Sequence, residues 1–246
     1  MTKSLISMIE SLIVRKGRIE LDSELSGKLL VSVYPAKGPG TYAGVAQEII
    51  NAGLALPRGP ETASLVGAAF NDLSNRYFKE IKQLMDNRWL WVFTRNLCVP
   101  QKGVYLYDLC VPQKEVYFHD RTDNLDESEL VKRLEAEDKS VRFVPFGFKV
   151  GEQTALDLAK NSYVVALFGE EGAEKLAKAS EKYSRNPTVW TASADVRGPI
   201  PMVSSLYSIY NGGGLDVNSG SYADYYGGCA FGVSQTSAEG AKSAKK

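Results

Sequence analysis

The sequence predicts an α+β fold, and three observations carry that expectation. Apolar positions at helical spacing dominate between about 41 and 87, whereas from Trp89 onward aromatic and β-branched residues gather in short runs separated by Pro and Gly. A strand-to-helix step stands clear only once, as YVVALFG followed by EEGAEKLAKASEKY, and a doubly wound parallel sheet repeats that step through the whole chain. The chain is 246 residues long and 44% hydrophobic, which suits one large or two small domains and excludes a disordered chain.

Taken in order, Gly27 to Tyr34 (GKLLVSVY) is an apolar run bounded by Gly and Pro35 and reads as a short strand. KGPG then turns the chain into Thr41, an N-cap for a helix with Val45, Ala46, Ile49 and Ile50 on one face and a stop at Asn51-Ala52-Gly53. A bend at Pro57 to Pro60 precedes a second helix over roughly 61–73, and NRYFKEIKQLMDN makes a third. WLWVFTRNLCV, GVYLYDL and KEVYFHD follow as a meander of strands. DESELVKRLEAED (126–138) has the acidic start of a short solvated helix, VRFVPFGFKV returns to strand, and YVVALFG is expected as a strand feeding the helix EEGAEKLAKASEKY.

Charge and composition exclude several functions. The 29 Lys+Arg are balanced by 29 Asp+Glu, so the basic surplus that phosphate backbones require is missing, and nucleic acid is not expected as a partner. No run approaches the roughly 18 apolar residues of a membrane span, and Met1 to Glu20 interrupts its apolar part with charges, unlike a signal peptide. The expectation is a soluble chain without membrane insertion, and its cellular address stays unknown, with display on a virion or a cell surface among the options. Three cysteines, Cys98, Cys110 and Cys229, have no CxxC spacing, and the single His119 leaves no multi-histidine metal site; neither metal nor cofactor is expected. His119 reads as an ordinary surface or hydrogen-bonded histidine at a strand end.

Partial motifs carry little. KGPGTYAG and FGEEGAEK lack the spacing of phosphate loops and read as turn glycines, and Glu170-Glu171 at a helix start is accounted for by the helix dipole. LCVPQKGVY at 97–105 recurs as LCVPQKEVY at 109–117, a local duplication too short for a solenoid.

The window Val203 to Val233 departs from everything before it. It contains no Lys, Arg, Glu, Gln, Met, Trp or Pro, and 22 of its 31 residues are Tyr, Gly, Ser, Asn, Asp or Cys. That is the composition of a recognition surface, in which tyrosine supplies rigid amphipathic area and Ser, Gly and Asn supply adaptable hydrogen bonding. Leu206, Ile209, Leu215, Val217 and the closing Cys229-Ala230-Phe231-Gly232-Val233 are spaced apolar positions that argue against a structureless Gly/Ser linker. Every residue type in the window can be written with a pyrimidine-ending codon. The five types that cannot, Lys, Glu, Gln, Met and Trp, are missing.

The order strand, helix, LPRGPETASLV, RWLWVFTRNL, long excursion and final CAFGV strand resembles the C-type lectin fold in the form related to formylglycine-generating enzymes. Leu56, Pro57, Glu61 and Ala63, then Trp89 and Trp91, carry that likeness. The Tyr/Ser/Asn/Gly/Asp segment is similar to the variable region of diversity-generating retroelement target proteins, which display residues of adenine-mutagenised AAY codons on this fold. The resemblance implies two or three helices, short antiparallel strands, a single domain over 1–236 with an insertion at about 100–200, a variable region at about 203–233 and a flexible tail over 237–246.

The chain departs from the enzyme branch, which uses two C-terminal cysteines, by offering only Cys229 there. It also departs from sugar-binding lectins by lacking EPN, QPD and WND, and Asp216 with Asp224 is a thin oxygen set for calcium. The expected function is non-catalytic recognition of a protein ligand, with no catalytic residue. Tyr207, Tyr210, Tyr222, Tyr225 and Tyr226 would be aromatic contacts; Ser208, Asn211, Asp216, Asn218, Ser219, Ser221 and Asp224 would be polar ones. The alternatives are an oxidase using Cys229 and a structural or assembly protein of a virus particle.

Overall fold

The computed structural model describes residues 13–15, 18–109, 126–208 and 213–234. In chain order these form β1 (Ile13–Arg15), β2 (Arg18–Leu25), β3 (Lys28–Tyr34), β4 (Lys37–Gly40), α1 (Tyr42–Asn51), α2 (Gly59–Asn71), α3 (Arg76–Asn87), β5 (Trp89–Val99) and β6 (Gly103–Asp108). Next come α4 (Glu127–Glu135), β7 (Val141–Pro145), β8 (Gly151–Glu152), α5 (Ala155–Lys160), α6 (Ser162–Ser180), β9 (Thr188–Trp190), β10 (Ile200–Tyr207), β11 (Asp216–Gly220) and β12 (Gly228–Ala230). The arrangement is α+β, with six helices among the described residues instead of the two or three expected.

The helices begin where their capping chemistry places them. Thr41 accepts the Gly44 amide at 3.1 Å, Asn75 accepts the Tyr77 amide at 3.0 Å and Asp126 accepts the Glu129 amide at 2.9 Å. At the start of α2, Glu61 reaches back to the Arg58 amide at 2.9 Å. This helix starts at Gly59, two residues earlier than expected, with Pro60 inside its first turn.

One expected strand is a helix. YVVALFG forms the first half of α6, because Asn161 caps the amides of Tyr163 and Val164 and because Tyr163, Val164, Leu167 and Phe168 repeat at helical spacing on a buried face. A short apolar run fits a buried strand and a buried helix equally well, and here the cap decides. Gly169, at φ 74°, kinks the helix before EEGAEKLAKAS continues it.

Nine strands form the main sheet in the order β4-β12-β5-β10-β11-β9-β8, with β6 and β7 branching from β5. The end of the described chain closes the domain on its own beginning. The Val33 amide donates to Gly232 O and the Ser234 amide to Val31 O, each at 2.9 Å, while Val233 and Ala55 exchange backbone hydrogen bonds, also at 2.9 Å.

The sheet separates two cores. Leu90, Val92, Leu206, Val217 and Val189 pack on one side with α2, α3 and α6. Trp89, Trp91, Phe93, Val203 and Tyr207 pack on the other with Tyr42, Val45, Ala46 and Ile49 of α1. The stretch expected as an insertion, about 100–200, is built into the first core through Leu158, Tyr163, Leu167, Phe168 and Leu176. No helix among the described residues is long and apolar enough to cross a membrane. The repeat copy beyond Leu109, with Cys110 and His119, and the 237–246 tail lie outside the described residues.

Candidate functional site

The second half of the unusual window runs along β11, leaves the sheet as loop 221–227, and re-enters as β12. Three contacts hold that loop. The Ala223 carbonyl accepts the Tyr42 amide at 3.1 Å, at the start of α1, where a helix leaves its first amides free. The Tyr225 amide donates to Tyr222 O at 2.9 Å and closes a turn. Beneath the turn, Trp89 gathers three tyrosines: its ring centroid lies 5.7 Å from Tyr207, 5.1 Å from Tyr222 and 4.3 Å from Tyr225.

Glycines let two of these rings lie down. A Cβ at Gly220 would stand 2.1 Å from Cε2 of Tyr222, and one at Gly227 would stand 2.5 Å from Cε1 of Tyr225. Each tyrosine ring therefore covers a position that any other residue would fill. Tyr222, Tyr225 and Tyr226 remain 49%, 40% and 73% exposed, and Ser221 and Asp224 are exposed beside them. The result is a small aromatic face with one carboxylate on it. Restricted rings keep the entropy lost on binding small.

The other expected contacts are elsewhere. Tyr210 and Asn211 lie outside the described residues. Tyr207, Ser208, Asp216, Asn218 and Ser219 are buried, and their assignment as ligand contacts is corrected to a structural one. Tyr207 is covered by Trp89. Ser208 donates its amide to Met85 O at 2.9 Å and its hydroxyl to Asp86 Oδ1 at 2.5 Å, tying the β10 end to α3. Ser219 joins a buried polar cluster in which Asn96 Nδ2 donates to Ser204 Oγ at 2.6 Å and to Ser219 Oγ at 3.3 Å. The two serine hydroxyls are 3.0 Å apart, and Ser219 also hydrogen-bonds the Tyr163 hydroxyl. Asp216 and Asn218 point into the covered face, with 0% and 6% exposure. Composition marks the whole window alike, but alternation along β10 and β11 turns these side chains into the sheet's two packed faces.

Cys229 is buried on β12, and burial pushes its thiol up to about 12. Reactive cysteines show the opposite shift, so this thiol is a poor nucleophile near neutral pH. Burial also raises Cys98. Among the described residues no group of three or more His, Cys, Asp or Glu side chains is placed to hold a metal ion.

Sequence reasoning missed Trp89 as the floor under the tyrosines. The signal was present, since WLW opens the aromatic strand, but the partners lie more than a hundred residues away in sequence.

No protein-family model and no curated protein matches the chain. A solved structure is similar: it is described as the accommodation of massive sequence variation in Nanoarchaeota by the C-type lectin fold. The likeness covers 85% of this chain and 99% of that one, with a TM-score of 0.51 and 14% sequence identity. The sheet order, the closure of its ends and this likeness together show that the chain has the C-type lectin fold.

Proposed function

We propose that the protein is a non-catalytic recognition protein, and that loop 221–227 contacts a protein ligand through Tyr222, Asp224, Tyr225 and Tyr226. The observation that carries the reading is the pairing of exposed tyrosines with a fixed support: Trp89 below, Gly220 and Gly227 under the rings, and the Tyr42 amide at the loop's middle. Rigid tyrosines offer large contact area at small entropic cost, as in antibody recognition loops. Among the described residues the ring packing of Tyr222 and Tyr225 on the scaffold runs through Trp89, which leaves the loop's side-chain identities free to change.

The loop is, on this reading, a diversifiable surface of the kind displayed by retroelement target proteins. The absence of Lys, Glu, Gln, Met and Trp from 203–233 supports it, since mutagenised AAY codons cannot produce them. Sequencing the gene beside its 3′ flank tests the reading. A near-identical second copy is expected, with mismatches confined to template adenines and concentrated in the codons of Ser221, Tyr222, Asp224, Tyr225 and Tyr226. Mismatches spread over all bases, or concentrated in the codons of buried Asp216 and Ser219, would refute it.

A further inference from the structure

Trp190 lies outside the unusual window, and the sequence gives it no role. Its place in the sheet does. Trp190 of β9 is paired with Asn218 of β11, Asn218 with Ser205 of β10, and Ser205 with Trp91 of β5. Directly paired residues stand on one face of a sheet, so this row shares the face on which Trp89 and the loop tyrosines lie. The neighbouring pair agrees: Val189 and Val217 are both buried in the core on the opposite face.

The chain's other two tryptophans, Trp89 and Trp91, are buried, whereas Trp190 is 48% exposed. Gly220, which lies under the Tyr222 ring, is two residues along β11 from Asn218. From strand spacing and rise, the backbones at Trp190 and Gly220 are roughly 8 Å apart. Trp190 thus puts a half-exposed indole on the same face as the exposed phenols of Tyr222, Tyr225 and Tyr226, and contact surfaces of proteins are enriched in these rings.

Resting on the reading of the loop as a recognition site, we propose that Trp190 is a second, fixed contact of the same face, and that the face accepts a protein surface presenting a basic side chain. Trp190 lies outside the 203–233 window and its TGG codon holds no adenine for such mutagenesis to alter, so this contact stays constant while the loop varies. The loop's chemistry suits a basic partner: 221–227 carries no Lys or Arg, Asp224 is exposed, and Trp and Tyr ring faces attract cations.

The test selects a random peptide library displayed on phage against the full chain, then measures the enriched peptides against Trp190→Ala, Trp190→Lys, Trp190→Phe and Tyr226→Ala. Peptides rich in Arg or Lys are expected. Binding should weaken about tenfold or more with Trp190→Ala and Trp190→Lys, recover largely with Trp190→Phe, and fall as salt is raised. Thermal unfolding of each variant separates lost contact from lost fold, and Trp190→Phe keeps the comparison valid if the smaller side chain unfolds the chain. Peptides without basic enrichment, or binding indifferent to Trp190→Ala and Trp190→Lys while Tyr226→Ala weakens it, would overturn this inference and leave the loop reading standing. Binding indifferent to all four variants, or no enrichment on the wild-type chain, would overturn both.

Discussion

Trp89 and Tyr225 pack with ring centroids 4.3 Å apart and planes tilted by 32°. One ring is buried on the first residue of β5 and the other is exposed on the loop, so this contact joins the scaffold to the proposed recognition face. Trp89 also touches Trp91, Tyr207 and Tyr222. Its Nε1 donates to nothing among the described residues, which leaves ring packing to hold it in place.

Replacing Trp89 with alanine is therefore expected to lower stability by about 3–5 kcal/mol, the range for emptying a buried large aromatic site. Urea denaturation reads that loss. Hydrogen exchange should show faster exchange at the Tyr225 amide, which the turn protects at 2.9 Å from Tyr222 O. Unchanged exchange there would mean that the loop does not depend on Trp89.

Gly220 and Gly227 are expected to act on the surface without acting on the core. A Cβ at either position collides with an exposed ring, which can swing into water. Gly220→Ala and Gly227→Ala should each leave the unfolding free energy read by urea denaturation within about 0.5 kcal/mol of wild type. NMR of the tyrosine rings should show Tyr222 displaced in the first variant and Tyr225 in the second. A large stability loss would show that the rings are structural.

The two serines on either side of Gly220 should behave in opposite ways. Ser219→Ala removes the hydroxyl shared by Asn96, Ser204 and Tyr163 and leaves buried polar atoms short of a partner. The expected cost is about 1–3 kcal/mol. Ser221→Ala is exposed and should cost within about 0.5 kcal/mol. Parallel denaturation curves check both, and equal effects would contradict the assignment of Ser219 to the fold.

Much of the fold was legible in the chain. Thr41, Asn75 and Asp126 announce their helices because a cap is a local interaction between neighbouring residues. The aromatic run at Trp89 was equally readable as a strand, whereas of the CAFGV end only Cys229 and Ala230 lie in β12 and Val233 forms isolated bridges. YVVALFG was not legible as a helix, because apolar length alone does not separate a buried strand from a buried helix. At the candidate site, composition marks a window but does not sort it into buried and exposed residues. Tyr207 and Tyr225 are the same residue type a short distance apart, and only strand pairing and the loop path place one under Trp89 and the other beside solvent. Trp190 was invisible for the same reason, since its face is set by pairing with Asn218.

Cys229 makes the stability of the fold depend on pH. Burial raises its thiol from the ordinary 9.0 to about 12. The folded chain thus keeps the proton that the unfolded chain releases first. A group raised on folding contributes its stability below the unfolded value and loses it as pH climbs through the folded one, so stability should fall between about pH 9 and about 12. Tyr163, also raised to about 12 by burial, adds in the same direction above its ordinary value of 10.0. Urea midpoints across that range test this, and Cys229→Ala should reduce the slope. Native Cys229 should resist iodoacetamide near pH 8 and react once the chain is unfolded; rapid alkylation of the native chain would restore the case for a reactive thiol.

The most direct measurement is a pair of substitution libraries read by protease resistance. One randomises Ser221, Tyr222, Asp224, Tyr225 and Tyr226; the other randomises Ser208, Asp216, Asn218 and Ser219. Most members of the first library are expected to stay folded and most of the second to be digested. Equal survival of the two, or greater survival of the second, would contradict a recognition face that changes independently of the scaffold beneath it.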